Sequence, residues 1–182
     1  TILDAIKEEL NDSNAVITFA KDIEYENSKP DVAILVLAED PYAEYQGTLQ
    51  NLIFNSTENH LEWLRMLKSD EIPVVTIFLS GRPMWMNREI NFSDAFIAAW
   101  LPGTEGNGIT DLIFMNDEKY DFTGRLSFSW PKRPDQSTLN FDEKPYDPLF
   151  PIGYGLSYQD QKLIGKLDEE FTISEDSDFN AP

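Results

Sequence analysis

Three uninterrupted apolar runs, at residues 31–38, 73–80 and 94–100, constrain the fold most. Alternation of apolar and polar residues would mark strands with one wet face. Continuous runs of Val, Ile, Leu and Phe mark strands covered on both faces, the habit of a parallel sheet layered between helices. The intervening segments supply the helices. Leu61, Leu64 and Leu67 fall on one face of a helix expected over 58–68, and Ile2, Leu3, Ile6 and Leu10 on one face of a helix over 1–10. A further helix is expected from Ile109 to Met115, and a further short strand over 15–20. Helix and strand therefore alternate, which predicts an α/β, three-layer sandwich around a mostly parallel sheet.

The texture changes after residue 120, where aromatic, proline and glycine residues follow one another without periodicity. This segment is expected to wrap over the sandwich or add an edge strand. From 159 to 182 the chain carries seven acids against two lysines, with one weak strand signal at 171–173. It reads as an acidic linker or the start of a further module. The opening helical pattern begins without a Met, as expected of a processed or excised piece of something longer.

Charge narrows the partners. Thirty-three acidic and fourteen basic residues give a net charge of −19, which opposes binding to nucleic acid or anionic membranes. No apolar run approaches the ~20 residues that span a bilayer. The acidity suits a soluble, secreted or periplasmic setting. With no cysteine and a single histidine, thiol chemistry and a zinc site are disfavoured, and no cofactor or metal is expected. Two glycosylation-type triplets begin at Asn55 and Asn91.

Ligands of such sheets sit beyond the carboxyl ends of the strands, where three loops qualify. The loop at 101–108 joins a strand to a helix through glycines, but its spacing fits no phosphate cradle and Glu105 brings the wrong charge. A tight turn packing its helix against the sheet explains it better. The loop after residue 79 offers Ser80 without a nucleophile elbow, and the lone His60 reads as a surface helical residue. Arg82 fits a structural ion pair with a loop carboxylate. Trp85 is a candidate exposed aromatic, although tryptophans more often pack inside. The loop at 38–47 carries Glu39, Asp40 and Glu44 within six residues of a strand end. Such carboxylates serve magnesium binding or general acid–base catalysis, and spacing alone does not separate the three.

Several motifs carry a resemblance. They are Glu39-Asp-Pro-Tyr-Ala-Glu-Tyr-Gln-Gly47, Leu79-Ser-Gly-Arg-Pro83, Ala98-Ala-Trp-Leu-Pro-Gly-Thr-Glu-Gly-Asn-Gly108, the stretch from Phe122 to Pro131, and that from Tyr146 to Leu156. In this order and spacing, residues 1–158 resemble the second, C-terminal domain of glycoside hydrolase family 3, nearest the exo-1,3/1,4-β-glucanase and β-glucosidase branch. The resemblance implies a sheet of about six strands with flavodoxin-like topology, packed against a preceding barrel. It implies a retaining exo-hydrolase acting on terminal β-glucosyl linkages of a β-glucan or β-glucoside. The barrel would supply an aspartate nucleophile, and this domain a glutamate acid/base at the last acidic position of the Pro-Tyr-x-Glu loop, here Glu44. Glu39 and Asp40 then fall to supporting roles.

These 182 residues contain no barrel motif, so the chain alone is expected to hydrolyse nothing. The alternative is a carbohydrate-binding or scaffolding domain of the same fold that has lost catalysis.

Overall fold

The computed structural model describes residues 1–21, 29–56, 59–115 and 120–171. Its centre is a parallel sheet of β1 (Ala33–Ala38), β2 (Val74–Leu79) and β3 (Ala95–Trp100), in the order β1-β2-β3. These are the three continuous apolar runs. β1 pairs with β2 from Ala33↔Val74 to Ala38↔Leu79, and β2 with β3 from Val75↔Ala95. The second register slips after Phe78, so that Leu79 lies opposite Trp100. That irregularity falls at the carboxyl end of the sheet, where Trp100 takes a left-handed backbone with φ 53°. Bulges commonly re-aim the chain beside functional sites.

Four helices accompany the sheet: α1 (Ile2–Glu9), α2 (His60–Ser69), α3 (Asn87–Phe92) and α4 (Gly106–Ile113). The right-handed crossover usual between parallel strands would put α2 and α3 on one face, and these two helices do pack on each other and on β2. Leu64, Leu67, Ile72 and Val74 form a buried cluster there. A second cluster lies on the same face toward the carboxyl ends, built from Leu37, Phe54, Phe78, Met84, Met86, Ile90 and Trp130. Side chains alternate along a strand, so Ile77 faces the opposite way, and it too is fully buried. The centre of the sheet is therefore dry on both sides. α1 and α4 pack as a separate pair.

Several expectations change. The six strands implied by the resemblance are not reached among the described residues, where three are hydrogen-bonded and their order shows no reversal. Residues 15–20 form no strand; no edge among the described residues takes up their backbone bonds, and Val16 is 93% exposed and Phe19 60%. The segment after 120 wraps rather than extending the sheet. Leu126, Leu149 and Phe150 pack on the second cluster, and the strand-like pairing there is a single antiparallel bridge, Trp130↔Phe150.

Two helix starts also move. α2 begins at His60, with Glu58 outside the described residues, and α4 begins at Gly106 rather than Ile109. A Cβ on Gly106 would lie 2.9 Å from the Thr1 carbonyl oxygen and 3.3 Å from Ala5 Cβ. The glycine thus brings α4 close to α1. α3 was not expected at all. Its Asn87 and Asn91 face the acidic segment. Asn91 exchanges two bonds with the Leu167 main chain, at 2.9 and 2.8 Å, and Asn87 donates to the Asp168 carbonyl oxygen at 2.7 Å. The strand signal at 171–173 lies outside the described residues except for Phe171, whose ring meets Trp85 edge-on at 4.8 Å.

Candidate active site

The loop following β1 rises from the sheet and ends in a 3-10 turn, Glu44–Gly47. Glu44 opens that turn with φ 48°, a left-handed conformation that costs a non-glycine residue about 1–2 kcal/mol. Such strain persists where the surroundings over-determine it, commonly at functional positions. The Glu44 side chain is exposed, and so is the neighbouring Tyr45, at 84%.

The other two carboxylates of the loop are placed differently. Glu39 is largely buried against Arg82, whose Nε donates to Oε1 at 2.7 Å while Nη2 approaches the same oxygen at 2.6 Å. The ion pair read from the sequence is present. Glu39 is thereby committed to Arg82, which argues against it as a magnesium ligand. Asp40 is exposed and, with Glu39, Tyr42, Leu49, Phe54 and Arg82, lines a cavity of about 350 Å³ beside the loop.

Arg82 does more than neutralise Glu39. Its Nη1 donates to the Gly47 carbonyl oxygen at 2.5 Å, and its guanidinium lies 4.1 Å from the centroid of the Tyr42 ring. Two glycines leave room for that ring: a Cβ on Gly47 would sit 2.7 Å from Tyr42 Cδ2, and one on Gly81 2.8 Å from the Tyr42 hydroxyl. Ser80 completes the arrangement. Its hydroxyl accepts from the Arg82 N–H at 3.0 Å and donates to the Arg82 carbonyl oxygen, with Glu39 Oε2 farther off at 3.4 Å.

Ser80 and His60 are not brought into a nucleophile–base pair. The serine hydroxyl is turned to Arg82, and His60 Nε2 lies 2.8 Å from Glu89 Oε1. The surface reading of His60 is overturned. As the first residue of α2 it is 5% exposed as a whole, with its ring packed edge-on against Phe54 at 5.1 Å. Trp85 is likewise not an exposed aromatic; it is 1% exposed, with Arg88 over its ring at 5.0 Å. Glu105 precedes α4 without capping it and accepts from the Thr104 hydroxyl at 3.2 Å.

Sequence reasoning missed Tyr42, Gly47 and Gly81 as parts of the site. Tyr42 meets Gly47 within its own loop but meets Gly81 and Arg82 from the end of another strand, and neither contact shows as a sequence pattern. It also missed the buried carboxylate of Glu89, which sits in a helix too short to show a face.

Residues 1–158 match the model of the glycosyl hydrolase family 3 C-terminal domain. A periplasmic beta-glucosidase of Salmonella typhimurium is 27% identical over 150 residues, covering 70% of this chain and 19% of that protein. A xylan 1,4-beta-xylosidase of Xylanibacter ruminicola is 34% identical over 106 residues, or 53% of this chain and 12% of that protein. Among solved structures, the exo-1,3/1,4-beta-glucanase of a Pseudoalteromonas species is 49% identical with a TM-score of 0.88, covering 96% of this chain and 22% of that one. The beta-glucosidase of Listeria innocua is 25% identical with a TM-score of 0.55, over 70% of this chain and 20% of that one. This chain thus spans a fifth or less of these two curated relatives, which are larger proteins.

Proposed function

Because the chain belongs to the glycosyl hydrolase family 3 C-terminal domain, we propose that it is the acid/base-bearing half of a retaining exo-acting β-glucosidase or β-glucan hydrolase, with Glu44 as proton donor. The observation that carries the reading is the division of labour in one loop. Glu39 is spent on Arg82, whereas Glu44 is exposed at the head of a turn on the carboxyl edge of the sheet. Asp40 is also exposed, but it precedes the turn and lines the side cavity.

Retaining hydrolysis places two carboxyl groups about 5–5.5 Å apart across the scissile bond. One attacks the anomeric carbon. The other gives its proton to the departing oxygen and then, as a carboxylate, takes a proton from the water that releases the sugar. Glu44 has the reach and the open approach for the second role. The attacking aspartate belongs to a barrel domain of the full-length protein, facing the edge from which Glu44 projects. Residues 1–158 form this domain, and 159–182 are an acidic linker or the start of a further module. The substrate is a terminal β-glucosyl unit of a glucan or glucoside, and the setting is secreted or periplasmic, in keeping with the periplasmic relative.

The test replaces Glu44 by Ala in the full-length protein and follows an activated aryl β-glucoside with and without azide. Turnover should fall by about 10²–10⁴-fold, the contribution of a general acid–base group, and azide should restore it with glycosyl azide as product. The 182-residue chain alone should show no turnover in the same assay. Unchanged activity of Glu44→Ala would refute the assignment.

A further inference from the structure

One guanidinium touches the loop of 39–47 at three places. It meets Glu39 at the loop's start, the Tyr42 ring in its middle, and the Gly47 carbonyl oxygen at its end. Between Asp40 and Ala43 the main chain takes no part in helix or strand. The position of Glu44 is therefore set by what holds the two ends of its loop.

Resting on the reading of Glu44 as proton donor, we propose that Arg82 is a positioning residue that pins this loop in its working place. The chemistry of the side chain fits the task. A guanidinium is a rigid planar fork that directs N–H bonds in several directions while its face stacks on an aromatic ring. Lysine offers one ammonium on a flexible stem and cannot serve Glu39, Gly47 and Tyr42 together. Arg82 is itself fixed, since its main-chain N–H and carbonyl are both bound by the Ser80 hydroxyl at the end of β2. The sheet thus fixes Ser80, Ser80 fixes the Arg82 backbone, and Arg82 fixes the loop.

A displaced acid has a signature that general damage lacks. Proton donation matters most when the leaving group is poor, and little when it departs readily as an anion. Arg82→Lys in the full-length protein should therefore lower kcat/KM for phenyl β-glucoside at least about tenfold more than for 2,4-dinitrophenyl β-glucoside, a fraction of the full general-acid effect. Loss of folded enzyme would lower both rates equally.

Glu44→Ala is the control. If it discriminates strongly between the two leaving groups and Arg82→Lys does not, the pinning role is overturned while the acid assignment stands. If Glu44→Ala does not discriminate, the acid assignment fails and the Arg82 role with it. Gly47→Ala provides the second probe should Arg82→Lys fail to fold. Its methyl group would displace the Tyr42 ring without altering charge, and the same leaving-group preference is expected. Equal losses on both substrates would overturn the proposal there too.

Discussion

The pair His60–Glu89 joins α2 to α3 beneath the site, and its removal should have a large and asymmetric cost. The two side chains are 6% and 0% exposed, with Nε2 and Oε1 2.8 Å apart. Glu89 Oε2 finds no hydrogen-bond partner among the described residues, and Arg88 Nη2 stands 4.0 Å from Oε1. Glu89 therefore depends heavily on His60. His60→Ala should cost about 3 kcal/mol, the upper range for leaving a buried acceptor without its hydrogen-bond partner. For a domain of this size, each kcal/mol lowers Tm by about 2–4 °C, so a drop of roughly 10 °C is expected. Glu89→Gln keeps an acceptor of the same shape for the ring and should cost only about 1 kcal/mol. The double variant His60→Phe, Glu89→Leu removes both polar groups and keeps the volume; it should recover most of the loss, as replaced buried pairs often do. Thermal unfolding of the parent and the three variants ranks these costs. A drop under about 2 °C for His60→Ala, or a double variant worse than either single one, would refute this account of the pair.

Two further changes probe the frame around the site. Asp94 accepts from the Val74 N–H at 2.9 Å and from Lys68 Nζ at 3.1 Å. Burial pushes its carboxyl upward, but these two partners outweigh it and hold the group below its ordinary 3.8. A carboxyl held low in the folded state stabilises above its unfolded value, and that contribution disappears as pH falls through the folded one. Asp94→Asn should therefore cost about 1 kcal/mol at pH 7, kept small by the half-exposed Lys68 pair, and the gap from the parent should close on acidification below pH 3.8; urea unfolding at both pH values measures it. Tyr158→Phe removes the 2.6 Å bond to the Leu112 carbonyl oxygen in α4 and should cost about 1 kcal/mol by the same method.

What the sequence made legible follows from how local each signal is. β1, β2 and β3 are visible because each is a short continuous apolar run bounded by turn signals, although only the central β2 is buried on both faces and Val36 of β1 is 42% exposed. The run at 15–20 has a similar composition, but a strand also requires an edge to bond to, and composition says nothing of where an edge lies. α3 is hidden because six residues are too few to show a face, and because Asn87 and Asn91 spend their amides on main chain some eighty residues away. His60 was misread for a related reason. An imidazole at a helix start is polar by residue type, and the carboxylate that makes its burial tolerable lies twenty-nine positions further on. The motif at 39–47, by contrast, marked Glu44 only through resemblance; spacing alone left three carboxylates equal.

The geometry also explains why that equality breaks. Of the three carboxylates at this strand end, Glu39 is the one that meets a cation. Arg82 takes Glu39 because both sit where the sheet ends: Glu39 N–H is bonded to the Leu79 carbonyl oxygen at 2.9 Å, and the next residue, Ser80, holds Arg82. Glu44, five positions further along, is beyond that ladder and is presented on the turn whose last carbonyl the same arginine grips. One cation thus does opposite things to two carboxylates of one loop. It buries Glu39 and, on the proposed reading, holds the turn from which Glu44 projects outward, as a proton donor acting on a substrate from the edge of its domain would require.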